Sequence, residues 1–435
     1  MFWHRETIGV DGADLVIGGV KATELAREFG TPLYVMDEAT LRGNCRAYRR
    51  GVEKSGLDIG LFYASKALCN KAVLKLVSQE GFGVDVVSFG EWTTARAVGI
   101  VPANIMMHGN SKSDDELAAG IGEGASIVVN DPSELERIIV MARQMGRRAR
   151  VLFRLRPGIE AHTHYKIRTA SLDCKFGFGV SDGAALAGAQ RCAECFDAVE
   201  LYGLHCHIGS QIFEVSCYRD ALDILFELSA TIRQTTGINI VMFNLGGGVG
   251  IAYVPTDDPY NREDFVTYVA EAARQSAAEH GEQVPRLVLE PGRSIVGDAG
   301  LTLYSVVGEN IITGVRRYVL LDGGMGDNLR VGLYGAQYTA LAANRMDAAP
   351  QTTVTLAGRC CESGDVLVRD CDLPNLQKGD LVATVSTGAY HASMANRYNR
   401  YPDPAMVLAG EGRARLIQRR PTWEQLMALD EELEG

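Results

Sequence analysis

Residues 61–100 read LFYASKALCNKAVLKLVSQEGFGVDVVSFGEWTTARAVGI, and their pattern decides the fold. A short apolar run at residues 61–64 is followed by an amphipathic stretch of helical periodicity, and the same succession starts again at residues 84–87. Short apolar runs rich in β-branched and aromatic residues predict strands, whereas longer amphipathic stretches predict helices. The segment therefore predicts two consecutive strand–helix units of a parallel sheet.

The succession continues over about 230 residues, which is the length expected of a (β/α)8 barrel. The predicted strands lie at residues 61–64, 84–87, 105–107, 127–129, 151–154, 201–206, 240–245 and 287–289. Polar residues or glycines follow them, namely Lys66, Ser88, His108, Asn130, Arg156, His207, residues 246–248 and Glu290. A doubly wound sheet is the alternative, but it would concentrate such residues at one crossover, whereas a barrel collects them at the carboxyl ends of all its strands. We therefore predict an α/β fold built on a TIM-like barrel.

A second, mainly β domain is predicted beyond about residue 300. The segments TLYSVVGENII, TTVTLAG, DVLVRD and DLVATVSTGAY contain short apolar runs bounded by turn residues, with no helical pattern between them. DLVIGGV near the N-terminus is also strand-like, so we expect it to pair within the same domain. The predicted barrel then spans 38–298, and the discontinuous β domain spans 1–37 plus 299–435.

Composition narrows the class of protein. The chain has 435 residues, of which 46% are hydrophobic and 22% charged, as in ordinary globular proteins. Its net charge of -11 argues against nucleic acid or an anionic membrane as the main partner, and we expect no membrane-spanning segment. Ten scattered cysteines, with one CxxC pair at Cys192 and Cys195, indicate free thiols rather than a zinc site. We expect a cytoplasmic protein.

Two predicted strand ends suit a phosphorylated ligand. NLGGGVGI, residues 244–251, follows the seventh strand, and its glycine amides are open to a phosphate. EPGRS follows the eighth strand, where Arg293 offers a rigid fork of donors to the same phosphate and Glu290 points into the barrel mouth. The purely structural alternatives are a tight turn and a Glu–Arg pair that stabilises it.

Two further strand ends carry an imidazole pair and an amine. HCHIGSQ, residues 205–211, places His205 and His207 on one face of a strand. They could form a metal site completed by His108 or an acid, provide an imidazole that lies over a flat cofactor, or be core histidines. Lys66 lies just beyond a buried strand, where partial burial favours a neutral, nucleophilic amine. Amine, phosphate cradle, carboxylate and imidazole together suit pyridoxal 5'-phosphate (PLP).

The chain resembles the alanine-racemase-like (fold type III) PLP-dependent decarboxylases over nearly its whole length, and among them most closely the diaminopimelate decarboxylases. The motifs that carry the resemblance are FYASKA, HGNSKSDDEL, THYKIRT…KFGFG, HCHIGSQI, LGGGVGI, EPGRS, CESGDVL and GAYHASMANRYN. Trp92 and Val331 stand where the family usually has an aliphatic residue and a proline. Neither departure removes an expected functional group.

The resemblance implies a role for individual residues. Lys66 resembles the lysine that binds the cofactor aldehyde, His207 the imidazole stacked on the ring, and Glu290 the partner of the ring nitrogen. Cofactor or phosphate contacts are implied for Ser210, Gly248, Gly292, Arg293 and Tyr390. Substrate contacts are implied for Arg293, Arg330, Tyr334, Glu362 and Tyr390. Cys361 resembles the cysteine that protonates the product carbanion, and it reaches the site with Glu362 from a second subunit, which implies a homodimer with shared active sites and no metal.

The implied reaction converts meso-2,6-diaminopimelate into L-lysine and CO2, the last step of lysine biosynthesis. The far end of this substrate carries an ammonium and a carboxylate, which suit Glu362 and Arg330 respectively. Ornithine and lysine lack the distal carboxylate and would leave a buried Arg330 unsatisfied, which disfavours them. A salt bridge within the turn is the structural alternative for Arg330.

Four other functions stay open at this point. They are decarboxylation of ornithine, lysine, arginine or a carrier-bound amino acid; racemisation of an amino acid; non-catalytic PLP binding; and metal-dependent hydrolysis through His108, His205 and His207. Release of CO2 separates a decarboxylase from a racemase, and the long β domain argues against a simple PLP-binding protein. Activity that survives a chelator would exclude the hydrolase.

Overall fold

The computed structural model describes residues 1–158 and 174–433, so the THYKIRT motif at residues 163–169 lies outside the described residues. The chain divides into two compact units. The barrel unit consists of Asn44–Gly250 and Asp258–Ser294, and the β unit consists of Met1–Gly43, Ile251–Asp257 and Ile295–Gly435. Among the helices of the described residues, none has the length and apolarity that a membrane crossing requires.

The N-terminal elements precede the barrel. In chain order they are β1 (Ile8–Asp11), β2 (Asp14–Ile17), β3 (Val20–Lys21), α1 (Ala22–Phe29), β4 (Leu33–Asp37) and α2 (Glu38–Ser55). Strands β1, β2 and β3 form a small antiparallel sheet of their own. DLVIGGV therefore pairs within the β unit, but in this separate sheet and not in the large one. Its Leu15 and Ile17 instead pack into a core shared with Leu301 and Leu303 of that unit.

Eight parallel strands close into a barrel in the second unit. The strands of this unit are β5 (Ile59–Ala64), β6 (Gly83–Val86), β7 (Ile105–Met107), β8 (Ser126–Val129), β9 (Ala149–Arg156), β10 (Phe178–Gly179), β11 (Val199–His205), β12 (Met242–Asn244) and β13 (Arg286–Leu289). Each strand pairs with the next in parallel, and the ring closes because β13 pairs with β5 and β8 pairs with β9. The predicted barrel is confirmed, and the doubly wound sheet is excluded. The additional two-residue strand β10 pairs with the end of β9.

Helices follow the barrel strands as the sequence predicts. They are α3 (Lys71–Gln79), α4 (Phe89–Ala97), α5 (Asp114–Glu123), α6 (Pro132–Gln144), α7 (Ala184–Glu194), α8 (Cys217–Thr236), α9 (Arg262–His280) and α10 (Arg293–Val296). Their starts are fixed by side chains that accept the first free amides: Asn70 caps α3, Ser113 forms a capping box with Glu116 at α5, and Asp131 caps α6. These caps fix the residues at which the three helices begin after their strands.

The barrel interior is filled by apolar side chains below its polar end. Phe62, Met106, Val128, Leu152, Met242 and Val288 form one buried cluster contributed by six strands. Because this cluster fills the interior, functional side chains can gather only at the carboxyl ends of the strands, as in other barrels of this type.

The β unit is built on one long mixed sheet. Its further elements are β14 (Gly300–Ile312), β15 (Arg316–Leu321), α11 (Arg330–Tyr334), β16 (Ala340–Ala342), β17 (Thr352–Ala357), β18 (Val366–Leu373), β19 (Leu381–Val385), β20 (Ala405–Gly410), β21 (Arg413–Gln418) and α12 (Trp423–Met427). The strand order is β18-β17-β15-β14-β4-β20-β21, and β19 pairs with β14 and β16. The sequence pattern did not predict the short helix α11, which carries Arg330.

Candidate active site

Lys66 leaves the barrel on a short turn that is tied to two neighbouring strands. Strand β5 ends at Ala64, and a single 3-10 turn at Ser65–Ala67 follows. The Ser65 hydroxyl donates to the carbonyl of Asp85 on β6 at 2.7 Å and contacts the carboxylate of Glu91 at 2.9 Å. On the other side, the Ala64 amide donates to the carbonyl of Pro291 at 3.2 Å. The half-buried Lys66 side chain therefore starts from a fixed backbone.

Glu290 follows β13, and its carboxylate is hydrogen-bonded by side chains at the ends of three other strands. His108 lies 2.8 Å from its Oε1 through Nε2, and His205 lies 3.3 Å from its Oε2 through Nε2. The amide of Asn244 donates to Oε1 at 2.6 Å. All four residues are buried. The arrangement fixes both oxygens of the carboxylate at the carboxyl end of the barrel.

Electrostatics keep this carboxylate charged and the two imidazoles neutral. Burial alone would raise the pKa of Glu290, but the hydrogen bonds from His108 and His205 outweigh it and hold that pKa well below its ordinary value. Burial lowers the pKa of His108, and it lowers the pKa of His205 to about 3. Each histidine therefore donates an Nε2 proton to an ionised Glu290 at neutral pH.

The predicted phosphate cradle is shaped by glycines that tolerate no side chain. A Cβ at Gly247 would lie 2.2 Å from the carbonyl oxygen of Glu290, and one at Gly248 would lie 2.7 Å from that of Gly209. Gly248 also has a φ of +132°, which disfavours any other residue. The Tyr218 hydroxyl donates to the Gly247 carbonyl at 2.8 Å and fixes the turn.

Arg293 is aligned with this turn through Ser210. Its Nη2 donates to the Ser210 hydroxyl at 2.9 Å. Arg293 is buried at the start of α10, and Gly292 before it packs so closely that a Cβ would meet the Cβ of Ala64 at 2.9 Å. The two candidate phosphate contacts, Ser210 and Arg293, thus lie together, as the sequence analysis expects of a phosphate site.

His207 and His205 have separate surroundings. The Gly247 amide donates to Nδ1 of His207 at 3.3 Å, so this ring lies against the glycine turn. Desolvation, followed by the positive charges of Lys66 and Arg154, lowers the pKa of His207 well below its ordinary value. The three ligand atoms that lie within 4.8 Å of one another belong to His108, His205 and Glu290. The set His108, His205 and His207 considered for a hydrolase is therefore not the cluster that forms.

Two charged groups at this end of the barrel were missed by the sequence analysis. Asp85 on β6 is buried, and its Oδ1 has no hydrogen-bond partner among the described residues. Burial, and then the charge of Glu290, raise its pKa well above the ordinary value, while Lys66 opposes the shift. Arg154 on β9 lies with its guanidinium 4.4 Å from the ring centroid of Phe176. A charged residue inside an apolar strand, as in VDVV and VLFRLR, was the available signal.

The β unit contains the remaining candidates. Arg330 is buried, its Nε donates to the Tyr338 hydroxyl at 2.8 Å, and its guanidinium lies 5.3 Å and 5.7 Å from the ring centroids of Tyr334 and Tyr390. No ion pair of Arg330 is found in the described part of the chain, so the salt-bridged turn is not what forms. Such a guanidinium suits a carboxylate ligand.

Cys361 and Glu362 lie on the loop between β17 and β18, and both are exposed. The Cys361 amide donates to the side-chain oxygen of Asn399 at 2.7 Å. The loop therefore presents a thiol and a carboxylate at its surface while its backbone is held.

The sequence is similar to known proteins over its whole length. The pyridoxal-binding domain of the pyridoxal-dependent decarboxylases matches residues 38–297. The diaminopimelate decarboxylase of Bacillus subtilis (strain 168) is 42% identical over 431 residues, which cover 99% of this chain and 98% of the relative. The enzyme of the same name from Mycobacterium tuberculosis (strain H37Rv) is 40% identical over 438 residues, which cover 98% and 97% of the two chains.

Solved structures agree with the sequence relatives. The crystal structure of diaminopimelate decarboxylase from M. jannaschii in complex with L-lysine superposes with a TM-score of 0.91 at 34% identity, covering 100% of this chain and 99% of that one. The lysine/ornithine decarboxylase of Vibrio vulnificus in complex with putrescine has a TM-score of 0.75 at 23% identity, covering 90% and 97% of the chains. The latter similarity concerns the fold alone.

Proposed function

The chain belongs to the diaminopimelate decarboxylases within the pyridoxal-dependent decarboxylase family, and from this premise we propose that it converts meso-2,6-diaminopimelate into L-lysine and CO2. One observation carries the proposal beyond similarity. An oriented Glu290 carboxylate, whose pKa is held low by its hydrogen bonds, lies at the same end of the barrel as an amine on a fixed turn and a glycine cradle. Decarboxylation of an amino acid on a pyridine cofactor needs these groups together.

The residues present fit PLP. The glycine turn at Gly247 and Gly248 has no room for side chains, and with Ser210, Gly292, Arg293 and Tyr390 it would hold the phosphate. Lys66 would bind the aldehyde carbon, His207 would lie against the ring, and Glu290 would contact the ring nitrogen. When bound, PLP supplies a conjugated ring that accepts the electron pair of the broken Cα–carboxylate bond.

The protein's own groups then control protons and orientation. Because its pKa is held low, Glu290 would keep a proton on a ring nitrogen bound beside it. Lys66 would offer its Nζ amine to the cofactor aldehyde. The proton that replaces the lost carboxylate comes from Sγ of Cys361, as the family resemblance implies. Neutral His207 adds no positive charge beside the ring.

Substrate recognition is assigned to the β unit. Arg330 is buried without a carboxylate partner among the described residues, which would penalise any substrate that leaves it unpaired. The distal carboxylate of diaminopimelate would provide this partner, and Glu362 would receive the distal ammonium. Tyr334 and Tyr390 flank the guanidinium with their rings.

We also propose the assembly and the domain organisation that the sequence implies. The working unit is a homodimer in which Cys361 and Glu362 serve the site of the second subunit. The domains are the PLP-binding barrel at 38–298 and the β domain at 1–37 plus 299–435. Free thiols at the ten cysteines are consistent with a cytoplasmic enzyme.

Incubation of the PLP-loaded protein with amino acids tests the proposed reaction. We expect CO2 and L-lysine from meso-diaminopimelate, and much slower CO2 release from ornithine, lysine and arginine. Preference for one of these three would show that the substrate assignment is wrong. Interconversion of stereoisomers without release of CO2 would indicate a racemase. Loss of activity in the presence of a chelator would indicate the metal-dependent hydrolase.

A further inference from the structure

The loop that carries Cys361 and Glu362 is held at its backbone by a side chain at its own end and by two side chains from elsewhere in the β unit. The Cys360 amide donates to Oδ2 of Asp365 at 2.6 Å, and the Cys361 amide donates to Oδ1 of Asn399 at 2.7 Å. The Tyr398 hydroxyl donates to the Cys361 carbonyl at 3.3 Å. Both backbone polar groups of Cys361 are thus engaged by two consecutive residues, Tyr398 and Asn399.

Asn399 has the backbone conformation that this contact requires. Its φ is +54°, in the left-handed region that asparagine adopts more readily than most residues. Arg400, which follows, is also left-handed, with a φ of +59°. Two consecutive non-glycine residues in this region are uncommon, and such backbone strain is concentrated at functional sites. Tyr398 and Asn399 end the GAYHASMANRYN motif, and this part of it has been assigned no role so far. Its backbone conformation directs the Asn399 side chain to the Cys361 amide.

The same network reaches the loop that leads to Arg330. Asp365 also accepts the Met325 amide through Oδ1 at 2.6 Å. The Asn396 amide donates to the Gly326 carbonyl at 3.0 Å. Residues 323–329 precede α11, at whose start Arg330 lies. The backbone that presents the substrate-binding guanidinium is thus joined to the backbone that presents the thiol.

We propose that Asn399 is a positioning residue that fixes the Cys361 backbone so that the thiol delivers its proton to one face of the reacting carbon. This inference rests on the proposed function, because it takes Cys361 as the proton donor. In that step the Cα–carboxylate bond breaks and CO2 leaves without its bonding electrons. The remaining pair takes the Sγ proton to form a C–H bond, and the thiolate is reprotonated from water. Within its own chain the Cys361 thiol is exposed, so the contacts that position it there are those of its backbone with Tyr398 and Asn399.

The informative variant is Asn399→Gly, since glycine adopts the left-handed conformation without strain and only the acceptor is lost. Asn399→Asp restores the acceptor. A matched control is Glu411→Gly, which replaces another left-handed residue, with a φ of +53°, in the exposed turn between β20 and β21. All are prepared as PLP-loaded enzyme and compared with wild type.

Three measurements are made on meso-diaminopimelate. We expect Asn399→Gly to lower kcat about 10- to 100-fold with KM changed little, because geometry and not binding is lost. In D2O, wild type places one deuterium with one configuration on the carbon that lost CO2, whereas Asn399→Gly gives a mixture. Hydrogen exchange of a peptide covering residues 359–365 accelerates in Asn399→Gly. Asn399→Asp restores all three properties, and Glu411→Gly leaves them unchanged.

The outcomes separate this inference from the proposed function. Unchanged hydrogen exchange in Asn399→Gly would show that Asn399 does not hold the loop. If Asn399→Gly shows faster exchange but a normal kcat and a single product configuration, the hydrogen bond between Asn399 and Cys361 stabilises the loop without guiding the proton transfer. If Asn399→Gly does not fold, Tyr398→Phe removes the second contact to Cys361, and it must weaken stereochemical control in the same direction. Inactivity of the wild type towards diaminopimelate would overturn the reaction itself, while the exchange measurement would still test the hydrogen bond.

Discussion

The charge state of Glu290 is set by residues that are far from it in the sequence. His108, His205 and Asn244 come from three strands, and each directs a donor at one carboxylate oxygen. A buried carboxylate without such donors would take up a proton near neutral pH. The sequence identified Glu290, but it could not show that its function depends on neutral histidines.

Replacing His108 is expected to move the acidic limit of activity. In His108→Leu, burial is no longer opposed by this donor, so the pKa of Glu290 rises from its depressed value. In its proposed role Glu290 must be ionised, so we expect activity to be lost at a higher pH as pH falls. The measurement is the pH profile of kcat/KM, with His280→Leu at an exposed position as the control. An acidic limit that stays in place would contradict the assignment of His108.

Asp85 is expected to make stability depend on pH in the opposite sense to an ordinary carboxylate. Its folded pKa is raised by burial, so the protein loses stability as pH rises from the unfolded value through the folded one. Asp85→Asn removes this loss. The difference in the free energy of unfolding between the variant and wild type should therefore be about 1 kcal/mol or more larger, in favour of the variant, at pH 8 than at pH 5.

Urea unfolding of cofactor-free protein at the two pH values measures the difference for Asp85→Asn. The exposed Asp58, changed to Asn, provides the comparison. An equal effect of Asp85→Asn at both pH values would show that the carboxyl titrates normally.

At the scale of elements, most strands and helices could be predicted because burial imposes clear periodicities. The eight barrel strands all form, and so do the helices that the sequence predicts after residues 61–64 and 84–87. The sequence pattern assigned DLVIGGV to the β domain, but it did not indicate that β1, β2 and β3 form a sheet of their own, because the periodicity of a strand does not specify its partners. The contact between Cys361 and Asn399 could not be predicted either, because it joins loops 38 residues apart.

The glycine turn after β12 is an element whose geometry can be tested directly. In Gly247→Ala, the added Cβ would meet the Glu290 carbonyl oxygen at 2.2 Å, so the turn must shift away from β13. We expect a loss of about 1–3 kcal/mol in the free energy of unfolding and weaker binding of PLP. Denaturation and PLP titration measure the two effects. Gly308→Ala, where a Cβ meets nothing within 4 Å, should be nearly neutral. Equal behaviour of the two variants would contradict the cradle.

At the scale of the whole molecule, the proposed homodimer makes a quantitative prediction. Lys66→Ala and Cys361→Ala chains are each expected to be inactive alone. If Cys361 serves the site of the other subunit, a mixed dimer contains one site with both groups intact. Co-expression in equal amounts should then restore about a quarter of wild-type activity. The measurement is CO2 release by the purified mixture, and absence of any recovery would show that both groups act within one chain.

The position of β4 has a consequence for how the polypeptide is made. This early strand, Leu33–Asp37, is sandwiched between β14 and β20, which are synthesised hundreds of residues later. During synthesis β4 leaves the ribosome first, and both of its edges stay unpaired until β14 and β20 follow. The barrel residues between them can already fold, because their contacts are mostly local in sequence. We expect a chain stopped before residue 405 to keep one of these edges unpaired, and so to be captured by chaperones or to aggregate.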